Sequence, residues 1–174
     1  MDRDKSAYLI GLFILRMNEI DHMTLSCQRD VLERPLTNTW TKKTLAKRLE
    51  QLCNGLNERH SNSAEHDVLK NIYAKLHDLF RRAIALTQVR NQIAHGLFVI
   101  DASKPIDPGS PTKFVIAAHG NDLPPIDYNV LGQLAVLSKE LSDDISEHLA
   151  AVSLERDYIR NKSWLKRSPE GSLP

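Results

Sequence analysis

The chain has only two cysteines in 174 residues, Cys27 and Cys53, and they do not form a Cys-x-x-Cys pair. This excludes a disulfide framework and a cysteine-based zinc site. Both fall on apolar helical faces and are read as buried thiols of a reducing compartment. A surplus of charge is also missing, with 23 Lys and Arg against 22 Asp and Glu. Near balance argues against a polycationic nucleic-acid coat and against electrostatic membrane binding, and leaves a local basic patch open. The apolar run over residues 8–15 is too short to span a bilayer. Arg16, Asn18 and Glu19 come directly after it, where a signal peptide would place small residues. The run is therefore read as the start of a buried helix in a cytoplasmic protein with no membrane partner. There is no phosphate-binding glycine loop, Gly-x-Ser-x-Gly elbow, dinucleotide fingerprint, internal repeat or low-complexity stretch.

What the sequence does have is helical periodicity over a length that suits one domain with a real core. The first helix spans roughly residues 6–31, with Ile10, Phe13, Met17, Ile20, Thr24, Cys27 and Val31 as its seam. A second stripe, Tyr8, Leu12, Leu15, Glu19, His22 and Ser26, turns from apolar to polar, as if leaving a core and entering a site. Pro35 ends the segment. The second helix starts near Thr41 and buries Leu45, Leu49, Leu52 and Leu56. Lys42, Lys43, Lys47 and Arg48 lie on its outer face, either solvated or touching phosphate. Gly55 and Asn57 weaken its end, and Asn62 or Ser63 can cap the next helix. The third helix begins near Ala64, with a seam at Leu69, Ile72, Leu76, Leu79, Ala83 and Leu86 that resumes at Ile93 and Leu97. Gly96 is placed to help end it.

The period then switches to short β-rich runs at residues 97–100 and 113–117, joined by a Pro- and Gly-rich tip at 103–111. This is a small hairpin inserted over residues 97–117, which must lie on the helices because a lone hairpin is marginal. Asp127 is the N-cap of a last helix carrying Val130, Leu134, Leu137, Leu141, Ile145, Leu149 and Val152, fading near residues 158–161. The fold class is all-α, a bundle of about four main helices with a hairpin after the third. Residues 1–161 form the domain. Residues 162–174 form a basic tail with Trp164, either a frayed end or a single-strand contact.

In the third seam the slot between Leu86 and Ile93 holds Arg90. A buried guanidinium is costly unless something nearby needs its charge. Alternatively it snorkels, and Val89 is the core residue. Asn91 and His95 share one helix face at i, i+4 spacing, and Arg90 lies about 140° from His95 around the axis. An imidazole can take or give a proton near neutral pH, and a guanidinium grips phosphate oxygens with a planar fork. The asparagine can orient either the histidine or a phosphate. A helix-closing Asn91–His95 hydrogen bond is the non-catalytic alternative.

Arg90-Asn91-Gln92-Ile93-Ala94-His95-Gly96, at the end of a long amphipathic helix, resembles the R-x4-6-H signature of HEPN domains. The resemblance covers the motif, its helix and the helix order around it. It implies a helical bundle acting as a metal-independent, cofactor-free endoribonuclease, with the RNA 2′-hydroxyl as nucleophile and Arg90, Asn91 and His95 as site residues. Because one helix brings one histidine, it also implies a homodimer with a composite cleft. A toxin or phage-defence role comes with the same family, with an antitoxin such as a nucleotidyltransferase as a possible partner. The other expectation is a non-catalytic module binding nucleotide, RNA or a protein. Glu19 and His22 are candidate pocket-lining residues beside Arg90. Glu19-x-x-His22 is also half of a di-iron motif, but the other helices offer no second half. His60, His66, His77 and His148 fall on polar faces or loops, and His119 in a loop.

Overall fold

A computed structural model of the chain describes residues 3–100, 114–117 and 126–165. It is an all-α bundle: α1 Arg3–Ser26, continued by a π-helical turn Cys27–Val31, then α2 Asn38–Thr41, α3 Leu45–Ser61, α4 Asp67–His95 and α5 Tyr128–Leu165. The hairpin comes after α4. Strands β1 (Leu97–Ile100) and β2 (Phe114–Ala117) pair antiparallel, with Leu97 opposite Ala117. Ile116 also exchanges backbone hydrogen bonds of 2.9 and 3.0 Å with Ile126, and both side chains are buried. The hairpin tip at 103–111, His119, and the Pro124-Pro125 break lie outside the described residues.

The core is assembled from one face of each long helix: Phe13, Met17 and Ile20 of α1, Leu49, Leu52 and Leu56 of α3, Tyr73, Leu76 and Phe80 of α4, and Leu131, Leu141 and Ile145 of α5. Cys27 and Cys53 are buried and free. Burial raises both thiols, that of Cys53 to about 11, so they stay protonated at neutral pH. Asp127 caps α5 by accepting from Val130 N at 2.8 Å. Among the described residues no helix is long and apolar enough to cross a membrane.

Several boundaries differ from the periodicity. The second helix is two elements, a single turn capped by Thr37 and a longer helix capped by Thr44. Arg48 is not on an outer face. It is 8% exposed, ion-paired with Asp21 and set over the Trp40 ring at 5.5 Å, because α2 folds Trp40 back beneath the start of α3. Gly55 does not weaken the end of α3, which runs on to Ser61. It is where Leu32 packs closest, since a Cβ there would stand 2.5 Å from Leu32 Cδ1. Asn62 closes a loop turn, accepting from Ala64 N at 3.0 Å, and α4 starts at Asp67 without a side-chain cap. Leu137 and Val130, placed in the last seam, are exposed. Residues 162–165, assigned to the tail, are helical: α5 continues through Lys162, whose ammonium sits over the Tyr158 ring one turn earlier. Residues 166–174 lie outside the described residues.

Long side-chain contacts set the helix register. Glu19 of α1 meets Ser142 of α5 at 3.0 Å, and Arg156 of α5 meets Val31 O just past α1 at 2.8 Å, so α1 and α5 run parallel. Asp21 pairs with Arg48 and Arg59 bonds Leu32 O, so α3 runs parallel to α1, while Arg156–Tyr73 Oη and Glu155–His66 set the height of α4 against α5. Asn57 meets His77 and His60 meets Lys70 O, so α3 runs antiparallel to α4.

Candidate functional site

Continuing the α3–α4 register to the start of α3 places Leu45 at the height of about residue 86 of α4. Roughly the last ten residues of α4, about 15 Å of helix, project beyond α3. Asn91 and His95 stand about four and five turns past His77, on the face that meets α3 lower down. That face has lost its neighbour at their height, and both side chains are exposed. Asp21 of α1 holds Arg48 in the first turns of α3. Two and three turns before Asp21, on the same face of α1, lie Ile14 and Ile10, partly buried. Among the described residues this outlines a notch with Asn91 and His95 on one wall, Ile10 and Ile14 on the other, and the beginning of α3 as its floor. Thr44 takes one of the α3 amide donors, from Lys47 N. Lys42, Lys43 and Lys47 surround that helix start, so its electrostatics favour an anion.

Arg90 takes a different direction. It lies about two and three turns past Ala83 and Leu79, on the side of α4 that these buried residues mark. The side chain is half-buried, and its Nε is enclosed with no hydrogen-bond partner among the described residues. Gln92 and Ile93 are buried. Gly96 ends α4 in extended backbone (φ −77°, ψ 154°), leading directly into β1.

The two pocket candidates from α1 are elsewhere. Glu19 is engaged by Arg16 at 2.8 Å and by Ser142 at 3.0 Å, in the α1–α5 seam. His22 is exposed, one residue past Asp21 and about 100° away from the notch-facing side of α1. Among the described residues, no three His, Cys, Asp or Glu side chains are grouped to hold a metal. Periodicity marked the lysines as an outer face, solvated or touching phosphate, without placing them at the start of α3, and gave Trp40 no part. The two cap threonines, Thr37 and Thr44, each three residues before the amide they accept from, were the signal that the second helix is broken there.

Compared with known proteins, the chain matches no family model, no curated protein and no solved structure.

Proposed function

We propose that the chain is a metal-independent endoribonuclease of the HEPN type, working as a homodimer with Arg90, Asn91 and His95 of each copy in one cleft. The observation that carries this is the open face at the end of α4. Asn91 and His95 are solvent-accessible where α3 stops short, above a lysine-rich helix start, and Arg90 on another side of the same helix end is half-buried with an Nε that meets no partner among the described residues. In-line attack of a ribose 2′-hydroxyl on its own 3′-phosphate needs a base for the hydroxyl proton and an acid for the departing 5′-oxygen. One imidazole from each copy fills those two roles. Arg90 stabilises the charge on the phosphoryl oxygens, and the lysines hold the flanking backbone. The products are a 2′,3′-cyclic phosphate and a 5′-hydroxyl end. A toxin or phage-defence role, a nucleotidyltransferase-like antitoxin and a cytoplasmic location belong to the same proposal.

The test is cleavage of single-stranded or loop RNA in EDTA, with the ends identified. His95→Ala is expected to lower the rate by about two to four decades while thermal unfolding is unchanged, because the side chain is exposed. RNA left intact between about pH 6 and pH 9, where imidazole changes charge, by a folded dimer would overturn the catalytic reading. Retained RNA affinity would then identify a binding module. If His95→Ala unfolds the chain, the motif is a structural lock.

A further inference from the structure

The start of α3 holds two buried side-chain donors that the fold does not use. Trp40 is 5% exposed and Arg48 8%. Trp40 Nε1 and Arg48 Nε are enclosed, and neither has a hydrogen-bond partner among the described residues. A buried indole N–H normally finds an acceptor, and a buried donor left unpaired destabilises the fold. The Arg48 guanidinium lies 5.5 Å over the Trp40 ring, so the two donors belong to one spot. Packing alone does not account for both of them there.

That spot is the N-terminal end of α3. Helical side chains lean toward the helix N-terminus, so Arg48, the fourth residue of α3, lies over the turn of Thr44 and Leu45. Trp40 is tied to the same turn, its carbonyl accepting from Lys43 N at 3.1 Å. Asp21 takes Nη2 of Arg48 and fixes the guanidinium. Thr44 Oγ1 accepts from Lys47 N at 3.4 Å, while the amides of Leu45 and Ala46 have no acceptor within the helix.

We propose that this end of α3 seats a phosphomonoester, the terminal phosphate of an RNA strand. Trp40 Nε1, Arg48 Nε and the first amides of α3 are its donors. Charge selects the anion. Lys42, Lys43, Lys47 and Arg48 face two carboxylates, Glu50 on α3 and Asp21 on α1. The excess of two positive charges matches the roughly −2 of a phosphomonoester at neutral pH. A phosphate inside a strand carries a single charge, and two of its oxygens are committed to ribose. Depth selects the strand end. Donors beneath the surface are reached by a group with one attachment, whereas an internal phosphate needs a path in and a path out. Lys42 and Lys47 are exposed beside this turn, where the next phosphate of the strand would meet them. That the strand is RNA rests on the nuclease reading; the phosphate seat does not. Under that reading the seat lies in the floor of the notch below Asn91 and His95, and it makes strands ending in phosphate the preferred substrates.

The experiment is calorimetric titration of the full chain with 2′-O-methyl trinucleotides, which 2′-hydroxyl attack cannot cut. One carries a 5′-phosphate, one a 3′-phosphate, and one hydroxyls at both ends. A phosphorylated form is expected to bind at least about tenfold tighter than the hydroxyl form, as one charge-assisted hydrogen bond supplies. Which form does so identifies the end, and inorganic phosphate should compete with it. Trp40→Phe keeps the ring under Arg48 and removes only the N–H. It should fold, with an unchanged or higher unfolding midpoint, and lose most of the preference. A purely structural tryptophan would do the opposite. If Trp40→Phe does not fold, Arg48→Lys takes its place, keeping a cation for Asp21 and removing Nε. Lys42→Gln with Lys47→Gln should weaken the phosphorylated ligand most. Equal binding of all three ligands would overturn the proposal. So would a preference that Trp40→Phe leaves intact, which would put the phosphate on the surface lysines alone. RNA cleavage separates the seat from the functional reading. A preference in a chain that cuts no RNA leaves the seat standing and sinks the nuclease. Cleavage without a preference does the reverse.

Discussion

The Nε of Arg90 is enclosed by protein and donates to nothing among the described residues, on a side of α4 otherwise marked by Leu79 and Ala83. A buried unsatisfied donor typically costs about 1–3 kcal/mol, so stability alone does not account for an arginine there. The same position stands out in the helical seam, where an arginine occupies a slot that should be apolar. Replacing it separates stability from function. Arg90→Met keeps the length of the side chain and removes the orphaned donor, so thermal unfolding should move up, or at least not down, by about 1 kcal/mol. Cleavage and RNA affinity should both fall. A clear drop in melting temperature would show that the guanidinium supports the fold. Asn91 and His95 were legible as a pair from their i, i+4 spacing. Their accessibility was not, because it depends on where α3 ends in space.

At the scale of elements, the short α3 makes the notch, and the turn after α1 fixes where α3 sits. The chain leaves α1 through the π-helical turn and bends at Glu33, the one non-glycine residue with positive φ (55°) among those described. Leu32 is thereby pressed onto Gly55 of α3. Long helices, the two hairpin strands and the Asp127 cap were readable because local periodicity and turn chemistry determine them. The π-turn, the separate α2 and the burial of Arg48 were not. Arg48 is buried through Asp21, 27 residues away, and Trp40 on a different element. A 3.6-residue period specifies a face but not what covers it. Gly55→Ala tests the close approach. Helix propensity alone predicts a gain of about 1 kcal/mol. Leu32 is 3% exposed and has no room to yield, so overpacking of about 1–3 kcal/mol should win. A net loss of about 1 kcal/mol in urea unfolding is expected. A stabilised variant would show that Leu32 repacks freely.

Across the whole molecule the polar end of the bundle lies opposite the notch, and one carboxylate joins three elements there. Glu33 accepts from Arg59 of α3 at 2.7 Å and lies 3.5 Å from Arg156 of α5, while those arginines also bond Leu32 O and Val31 O around the bend. The hydrogen bond from Arg59 holds the Glu33 carboxyl below its usual 4.5, outweighing its partial desolvation. A depressed carboxyl contributes stability that is complete above the unfolded value and is lost as pH falls through the folded one. Unfolding free energy should therefore decline on acidification below about pH 4.5. Glu33→Gln should remove that part of the decline while leaving the parts due to Asp30 and Asp143. Glu33 is 60% exposed, so solvent screening limits its share to about 0.5–1 kcal/mol near neutral pH. Urea midpoints of both proteins measured from about pH 3 to pH 7 across the carboxylate range give the difference, which should vanish at the acid end. A constant gap at every pH would mean that Glu33 acts through packing at the bend rather than through its charge. Because this cluster is several turns of helix from Asn91 and His95, Glu33→Gln should leave RNA cleavage at neutral pH intact. Lost cleavage in a folded variant would instead show that the bend after α1 sets the geometry of the notch.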